Sequence, residues 1–424
     1  MTELKSINQQ RPTVLVISTG FHLYREYLLR QIVEEANVWL FTDAAPTWQI
    51  PYLNGYTLVN TLDAEAMARE ALALAATRKI DGLICWDEIR MVPTSRVAAA
   101  LGLPGGETDA YARCRDKHET RQALAAAAVP QPESVLVADI GQAVATAARI
   151  GYPVIVKPRG LGGSYGVTLV NDEAELTAAM QHVDQHCELL AGSGYTRYES
   201  SVLIEEYMTG EEVSVDVAWV DGRMHPLFVA RKETGFFPHF EEIGHVVHGH
   251  DPLLEDAEFL AVLGGAHRAV GFRNGITHTE LMLTAKGPKI IEINSRLGGD
   301  MIPYIGGISS GIRAGAVAVA VACGRAPDVA RTRQRTAAVR FLYPDGDCVV
   351  QALAVDRDAL PENVDDVCLL VEPGHTLYFP RVSGRYAFLT AYGDSEAACK
   401  AALDQAAAAV RFEAEPLAEA AEAV

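Results

Sequence analysis

The segment ITHTELMLTAKGPKIIEINSRLGGD, residues 276–300, constrains the fold more than any other. Two apolar-rich runs, TELML and KIIEIN, flank the turn signal AKGP, which predicts a β-hairpin. The midpoint between Glu280 and Glu292 falls inside that turn. A symmetric hairpin therefore sets these carboxylates opposite each other, on the same face as His278 and Asn294. Leu281, Leu283, Ile291 and Ile293 take the other face, a good core face. Facing carboxylates repel unless a cation lies between them. The hard oxygens of Glu280, Glu292 and Asn294 suit Mg²⁺ or Mn²⁺ bridging substrate phosphates. The plain alternative is two solvated glutamates on an exposed face. Against it stand Arg296, two residues past Asn294, and the Gly298-Gly299 turn, whose amides suit a carboxylate.

A second segment, VIVKPRGLGGSYGVTLV (154–170), runs from strand through a glycine loop to strand, with Lys157 before Gly160, Gly162, Gly163, Ser164 and Gly166. Glycine lets backbone N–H groups approach a phosphate closely. No GK[ST] opens a helix here and Tyr165 replaces the third glycine of GxGxxG, so neither a P-loop nor a dinucleotide fingerprint is present. The pattern is a hairpin able to fold over a nucleotide, with the Lys157 ammonium aimed at phosphate oxygens; an ordinary structural loop is the competing reading.

Before these segments, residues 13–87 alternate β-α-β-α-β, which predicts a parallel sheet. Asp43 ends its second strand, and without the glycines it reads as a strand end rather than a ribose ligand. DKHETRQALAAAA (116–128) has the form of a helix capped by Asp116. Residues 331–424 read as a separate α+β piece ending in an alanine-rich helix and a frayed acidic tail. A length of 424 residues fits about three domains. The 36 basic and 55 acidic side chains give −19, a field that repels nucleic acid and anionic lipid, so no nucleic-acid or membrane partner is expected. Seven scattered cysteines and a polar N-terminus without a signal-peptide core point to a reducing, cytoplasmic setting. The longest uncharged apolar-rich stretch, Ala314 to Gly324, is too short to span a bilayer.

Joined by VLIEEYMTGEEVSVDV (202–217), the two segments resemble the ATP-grasp superfamily of carboxylate–amine ligases, and within it the bacilysin-type L-amino acid ligases, which join two unprotected amino acids. The resemblance implies an α/β ATP-grasp fold with a Rossmann-like pre-ATP-grasp domain at 1–110. An ATP-grasp domain follows at 111–330, with a small lid at about 135–205 and a catalytic remainder at 206–330, and then a C-terminal α+β lobe at 331–424. It implies ATP and Mg²⁺ or Mn²⁺ as cofactors, and small carboxylate and amine substrates, amino acids first among them. Whether the chain acts alone or as a homodimer is left open. By resemblance, Lys117 and Lys157 hold ATP phosphates, while Glu205 to Met208 form the adenine hinge, with Glu206 and Met208 giving backbone carbonyl and amide. Glu212 takes the ribose hydroxyls. Glu280, Glu292 and Asn294 are metal ligands, and Arg296 steadies an acyl phosphate. Glu242 and His245 contact the first amino acid's amino group, and Gly298 and Gly299 frame a substrate carboxylate.

The implied reaction activates one carboxylate as an acyl phosphate, which an amine then attacks, releasing phosphate; Glu242 or His245 is a candidate to take the amine's proton. FFPHFEEIGHVVH (236–248) reads as a loop which, with Met301-Ile302-Pro303, lines the first substrate's pocket, and Phe236, Phe237 and Phe240 hint at an apolar side chain. His239, His245, His248 and His250 admit a zinc reading, though ordinary hydrogen bonding in a loop accounts for them. The rival readings are an ATP-grasp ligase acting on a purine-pathway amine, a bicarbonate-dependent carboxylase, and a catalytically silent nucleotide sensor.

Overall fold

The computed structural model describes residues 4–163, 165–189, 201–379 and 384–417, without the side chains of 182 and 184–189. Ser164 lies outside the described residues.

The N-terminal part holds β1 (Thr13–Ile17), α1 (His22–Glu35), β2 (Asn37–Thr42), β3 (Gly55–Leu58), α2 (Ala64–Ala75), β4 (Gly82–Ile84), α3 (Met91–Leu101), α4 (Thr108–Arg115) and α5 (Lys117–Ala126). Its sheet is parallel in the order β3-β2-β1-β4. Every residue of β1 is buried, as expected of a continuous apolar run in a sheet packed on both faces. Asp43 accepts from the Thr61 amide and hydroxyl and from Arg90, a strand-end network. Asp116 caps α5 by accepting from the amides of His118 and Glu119.

A smaller body follows: β5 (Ser134–Val137), α6 (Ile140–Ile150), β6 (Val154–Pro158), β7 (Thr168–Val170), α7 (Glu173–Leu189) and β8 (Val202–Glu206). Its sheet has the order β5-β8-β6-β7, and β6 and β7 form the hairpin carrying the glycine loop.

The remaining elements are β9 (Glu211–Val220), β10 (Arg223–Gly235), β11 (Glu241–His248), α8 (Ala257–Val270), β12 (Gly275–Thr284), β13 (Gly287–Asn294), α9 (Ile302–Ser310) and α10 (Ala314–Ala322). After them come β14 (Thr336–Leu342), β15 (Cys348–Val355), β16 (Val364–Leu369), β17 (Thr376–Leu377), β18 (Ala387–Gly393), α11 (Glu396–Ala408) and β19 (Val410–Pro416). One sheet, β13-β12-β9-β10-β11-β14-β18-β16, runs without a break across residue 330. The stretch after 331 is therefore hydrogen-bonded onto β11 rather than standing apart. On β9, Val213, Val215, Val217 and Trp219 join the core with α8, while Ala218 on the other face joins the core with α1, α9 and α10.

Two expectations change. Residues 241–248, read as a loop, form a strand inside the large sheet, because EEIGHVVH finds partners on both sides in β10 and β14. EAEP (413–416), read as the start of a frayed tail, completes strand β19 on β15, in which Phe412 stacks flat onto Tyr386, 4.0 Å between centroids. Among the described residues no single helix is long and apolar enough to cross a membrane; α9 and α10 pass that test only as a pair, and they are bent by 105°.

Candidate active site

The hairpin of β12 and β13 pairs His278 with Asn294 and Glu280 with Glu292. Immediately beyond, the register slips by one residue, so that Leu281 pairs with Ile290 and Ile291 is the extra residue of a β-bulge. The bulge overturns one expectation: Ile290 takes the core position assigned to Ile291, and Ile291 lines the cavity. Arg121 on α5 holds this bulge by donating to the carbonyls of both Ile290 and Ile291.

A second bulge shapes β11. Three residues apart on a regular strand, Glu242 and His245 would point to opposite faces. The pairing with β10 slips between Glu233 and Thr234, leaving Ile243 as the extra residue. Glu242 Oε2 thereby lies 3.1 Å from His245 Nε2.

A cavity of about 230 Å³ gathers most of the candidate residues: Lys117, Lys157, Gly162, Gly163, Glu205, Glu206, Met208, Glu212, Glu242, Glu280, Glu292, Asn294, Arg296 and Gly299 all line it. Gly160, Gly166, His245 and Gly298 do not. At Gly166, φ is +73° and a Cβ would meet Pro158 Cγ at 2.8 Å, so this glycine serves the turn. The amide of Gly298 donates to Asp216 Oδ2 at 3.1 Å, so it is not free for a substrate carboxylate as expected. Asp216 also bonds His278 Nδ1 at 2.7 Å, and Arg25 of α1 donates to the Gly298 carbonyl.

Several charged residues escaped sequence reading. Lys232 on β10 places its ammonium 2.5 Å from Glu212, 2.9 Å from Glu242 and 3.3 Å from Glu280. Burial opposes its charge, but the three carboxylates raise its pKa well above the ordinary value. Burial raises the Glu212 carboxyl, and Glu280 and Glu242 push the same way. The clue to Lys232 was the charged run Arg231-Lys232-Glu233 that follows the apolar PLFVA. Lys117 donates to the Leu161 carbonyl in the glycine loop and lies 3.4 Å from Glu292; its burial lowers its pKa. Lys157 meets Glu205, which is gripped by two nitrogens of Arg121. Burial would raise the Glu205 carboxyl, yet Arg121 and Lys157 hold it well below the carboxylate range. In the segment expected to meet adenine through its backbone, the Glu205 side chain is thus a buried link between β8 and α5. The Glu206 side chain turns to Lys289. Arg296 pairs with Glu88 of the N-terminal part at 2.8 Å.

Asp300 and Arg385 were also missed. Arg385 chelates Asp300 at 2.7 and 2.8 Å. Asp300 lies 3.6 Å from His245 Nε2. Burial acts against the His245 charge, but Asp300 and Glu242 raise its pKa to about 9; Glu242, despite burial, is lowered to about 2 by Lys232 and His245. The histidine group does not assemble: His248 faces Thr336 and His250 faces Glu255. Of the aromatic residues expected around the substrate, only Phe240 lines the cavity, while Phe236 packs on Tyr343 and Phe379. Of Met301-Ile302-Pro303, only Ile302 does.

Residues 150–304 match the ATP-grasp domain family. The chain carries an ATP-grasp domain. Residues 340–415 match the L-amino acid ligase C-terminal domain 2. The chain is 28% identical to an uncharacterized protein, y4rH, of Sinorhizobium fredii over 74% of this chain and 64% of that one. It is 26% identical to alanine–anticapsin ligase of Bacillus subtilis over 57% of this chain and 54% of that one. It thus spans between half and two thirds of these curated relatives. The crystal structure of an L-amino acid ligase from Bacillus licheniformis superposes with a TM-score of 0.80 at 21% identity, covering 96% of this chain and all of that one, a likeness of fold. The ATP-grasp domain therefore sits in the full frame of N-terminal part, small body and C-terminal strands.

Proposed function

We propose that this protein is an ATP-dependent ligase joining an amino acid carboxylate to an amine, with release of ADP and phosphate. One observation carries the reading: the Glu280–Glu292 pair, Asn294 and Arg296 share a single cavity with Lys117 and Lys157. The alanine–anticapsin ligase relative and the L-amino acid ligase C-terminal match support amino acids as the substrate class.

The donor set fits a divalent cation: two facing carboxylates and an amide oxygen, hard ligands on one strand pair. Bound there, Mg²⁺ or Mn²⁺ supplies charge neutralisation for phosphoryl transfer. Glu280 and Glu292 are at present compensated by Lys232 and Lys117. Lys117 and Lys232 would stand with Lys157 to meet phosphate oxygens, Lys232 being held in place by Glu212 and Glu242. Substrate carboxylate attacks the γ-phosphoryl group, and Arg296, steadied by Glu88, meets the charge of the resulting acyl phosphate. The amine then attacks the acyl carbon, forming the amide and expelling phosphate.

Glu242 is the acceptor for the first amino acid's ammonium, and His245, an imidazolium at neutral pH, holds Glu242 in place. Neither residue is matched to general-base duty near pH 7, since one binds its proton too weakly and the other too tightly. The deciding experiment measures ADP and phosphate release with MgATP and pairs of free amino acids, with mass spectrometry of the product. Amino acid-dependent release with a condensed product supports the reading; background release with every amine–carboxylate pair overturns it.

A further inference from the structure

The corner of the cavity around Asp300 is built by long-range contacts. Arg385 gives Nη1 and Nη2 to the Asp300 carboxylate, a further Nη2 bond to the Glu242 carbonyl at 2.9 Å, and Nε to the Tyr343 hydroxyl at 2.6 Å. Its guanidinium also lies 3.7 Å over the Phe341 ring. Tyr343 in turn donates to the Glu242 carbonyl. One buried guanidinium thus fixes the turn at 300, strand β11 and the end of β14 relative to one another. The turn is held against a backbone cost: Asp300 and Met301 adopt φ of +48° and +62°, a region worth ~1–3 kcal/mol of strain for each non-glycine residue.

The pair is asymmetric. The Asp300 side chain is 18% exposed and lines the cavity, whereas Arg385 is 1% exposed and does not. What faces a ligand is therefore an oriented carboxylate with acceptor capacity left over, and its neighbour Glu242 is a second acceptor. An aliphatic group placed against Asp300 would strip water from it and return nothing. A hydroxyl or amide donor would replace that water. Glu242 and Asp300 already face three positive groups, Lys232, His245 and Arg385, and the incoming α-ammonium adds one more positive charge. A second cation has no counter-charge there.

Resting on the ligase reading, we infer that Asp300, positioned by Arg385, determines specificity for the first amino acid and selects a neutral side chain with a hydrogen-bond donor, of the hydroxyl or carboxamide class. This replaces the apolar preference suggested by the Phe236–Phe240 stretch.

The test uses the full chain with MgATP and compares near-isosteres as the activated partner, threonine against valine and asparagine against leucine, with lysine as the charged control. Product mass spectrometry assigns which residue is N-terminal. The wild type is expected to favour threonine and asparagine by about tenfold or more in kcat/KM, with lysine below threonine. Asp300→Leu should cut the threonine value about tenfold and spare or raise the valine value. Arg385→Lys, which keeps charge but not the two-pronged grip, should raise KM for threonine more than it lowers kcat. Valine or lysine matching threonine in the wild type would overturn the inference, as would Asp300→Leu lowering both isosteres alike. If Asp300→Leu does not fold, the wild-type ratios alone decide. Ligase activity with the wrong preference sinks this inference only; no amino acid-dependent turnover at all removes the ligase reading with it.

Discussion

The candidate metal ligands and the Asp300 corner lie in one cavity, yet the chain builds them by different means. Glu280, Glu292, Asn294 and Arg296 come from a single hairpin and its tail, where strand pairing alone sets their spacing. The Asp300 corner draws on β11, the turn at 300, the end of β14 and residue 385, with a bond spanning 143 positions between Arg385 and Glu242. The first arrangement is tied to backbone register and changes only if the hairpin does. The second hangs on side chains, so it can be rebuilt by single substitutions while the hairpin stays intact. On the proposed function, phosphate chemistry would then be the fixed half of the cavity and recognition of substrate the adjustable half.

If that contrast is right, the largest effect on stability comes from the side-chain-built corner. Arg385→Ala takes the two-pronged grip from Asp300, which keeps, among the described residues, only His245 at 3.6 Å, and leaves the Glu242 carbonyl with the Tyr343 hydroxyl. Removing one member of a buried pair costs ~3–5 kcal/mol, to be read from the midpoint of urea unfolding. A loss below about 1 kcal/mol would mean that the corner reorganises freely around the gap, against the clamp described above.

Glu292→Ala probes the other half, and its effect should fall on turnover rather than on folding. Loss of one charge-stabilising contact in phosphoryl transfer typically costs ~10²–10³ in rate. Phosphate release should drop by that factor or more, with an unchanged circular dichroism spectrum. Normal activity would remove the metal assignment at Glu292 and leave the hairpin as structure only.

Glu205→Gln tests the link between the halves. Glu205 connects Lys157 to Arg121, and Arg121 holds the bulge at Ile291. A charge-assisted hydrogen bond is worth ~1.5–3 kcal/mol, so a stability loss of about 2 kcal/mol and a raised KM for ATP are expected. Unchanged KM would show that Lys157 keeps its place without Glu205.

How much of this was legible in the sequence follows the same division. The hairpin register could be read because period-two alternation and a turn signal are local, and the glycine loop between β6 and β7 because glycine spacing is local too. The bulges at Ile243 and Ile291 were invisible: a one-residue slip is decided by partners such as Arg121, far away in the chain. Strand β11 was read as a loop because FFPHFEEIGHVVH carries the breakers of a loop at its start, while its pairing with β10 and β14 is non-local. Lys232 left a faint trace, one of three successive charges, Arg231-Lys232-Glu233, after the apolar PLFVA. Arg385 left none, since nothing around RYAFLTAYG says that the arginine turns inward to Asp300.

The narrowest test is a pH dependence that separates the two halves. His245 is raised to about 9 from 6.5, against the pull of burial, by Asp300 and Glu242. A group raised on folding binds its proton more tightly in the native state. Its contribution to stability is therefore complete below about pH 6.5 and is lost as pH climbs through about 9. His245→Asn removes that contribution. The stability gap between wild type and His245→Asn should thus be widest near pH 6 and close progressively toward pH 9.5, measured by urea unfolding at each pH. Glu292→Ala leaves the His245 environment intact, so its own stability should follow the wild-type pH curve. A constant gap would mean that folding leaves the His245 pKa unshifted, and one that narrows toward pH 6 would mean that His245 carries no charge in the native protein. In that event Glu242 and Asp300 would be balanced by Lys232 and Arg385 alone.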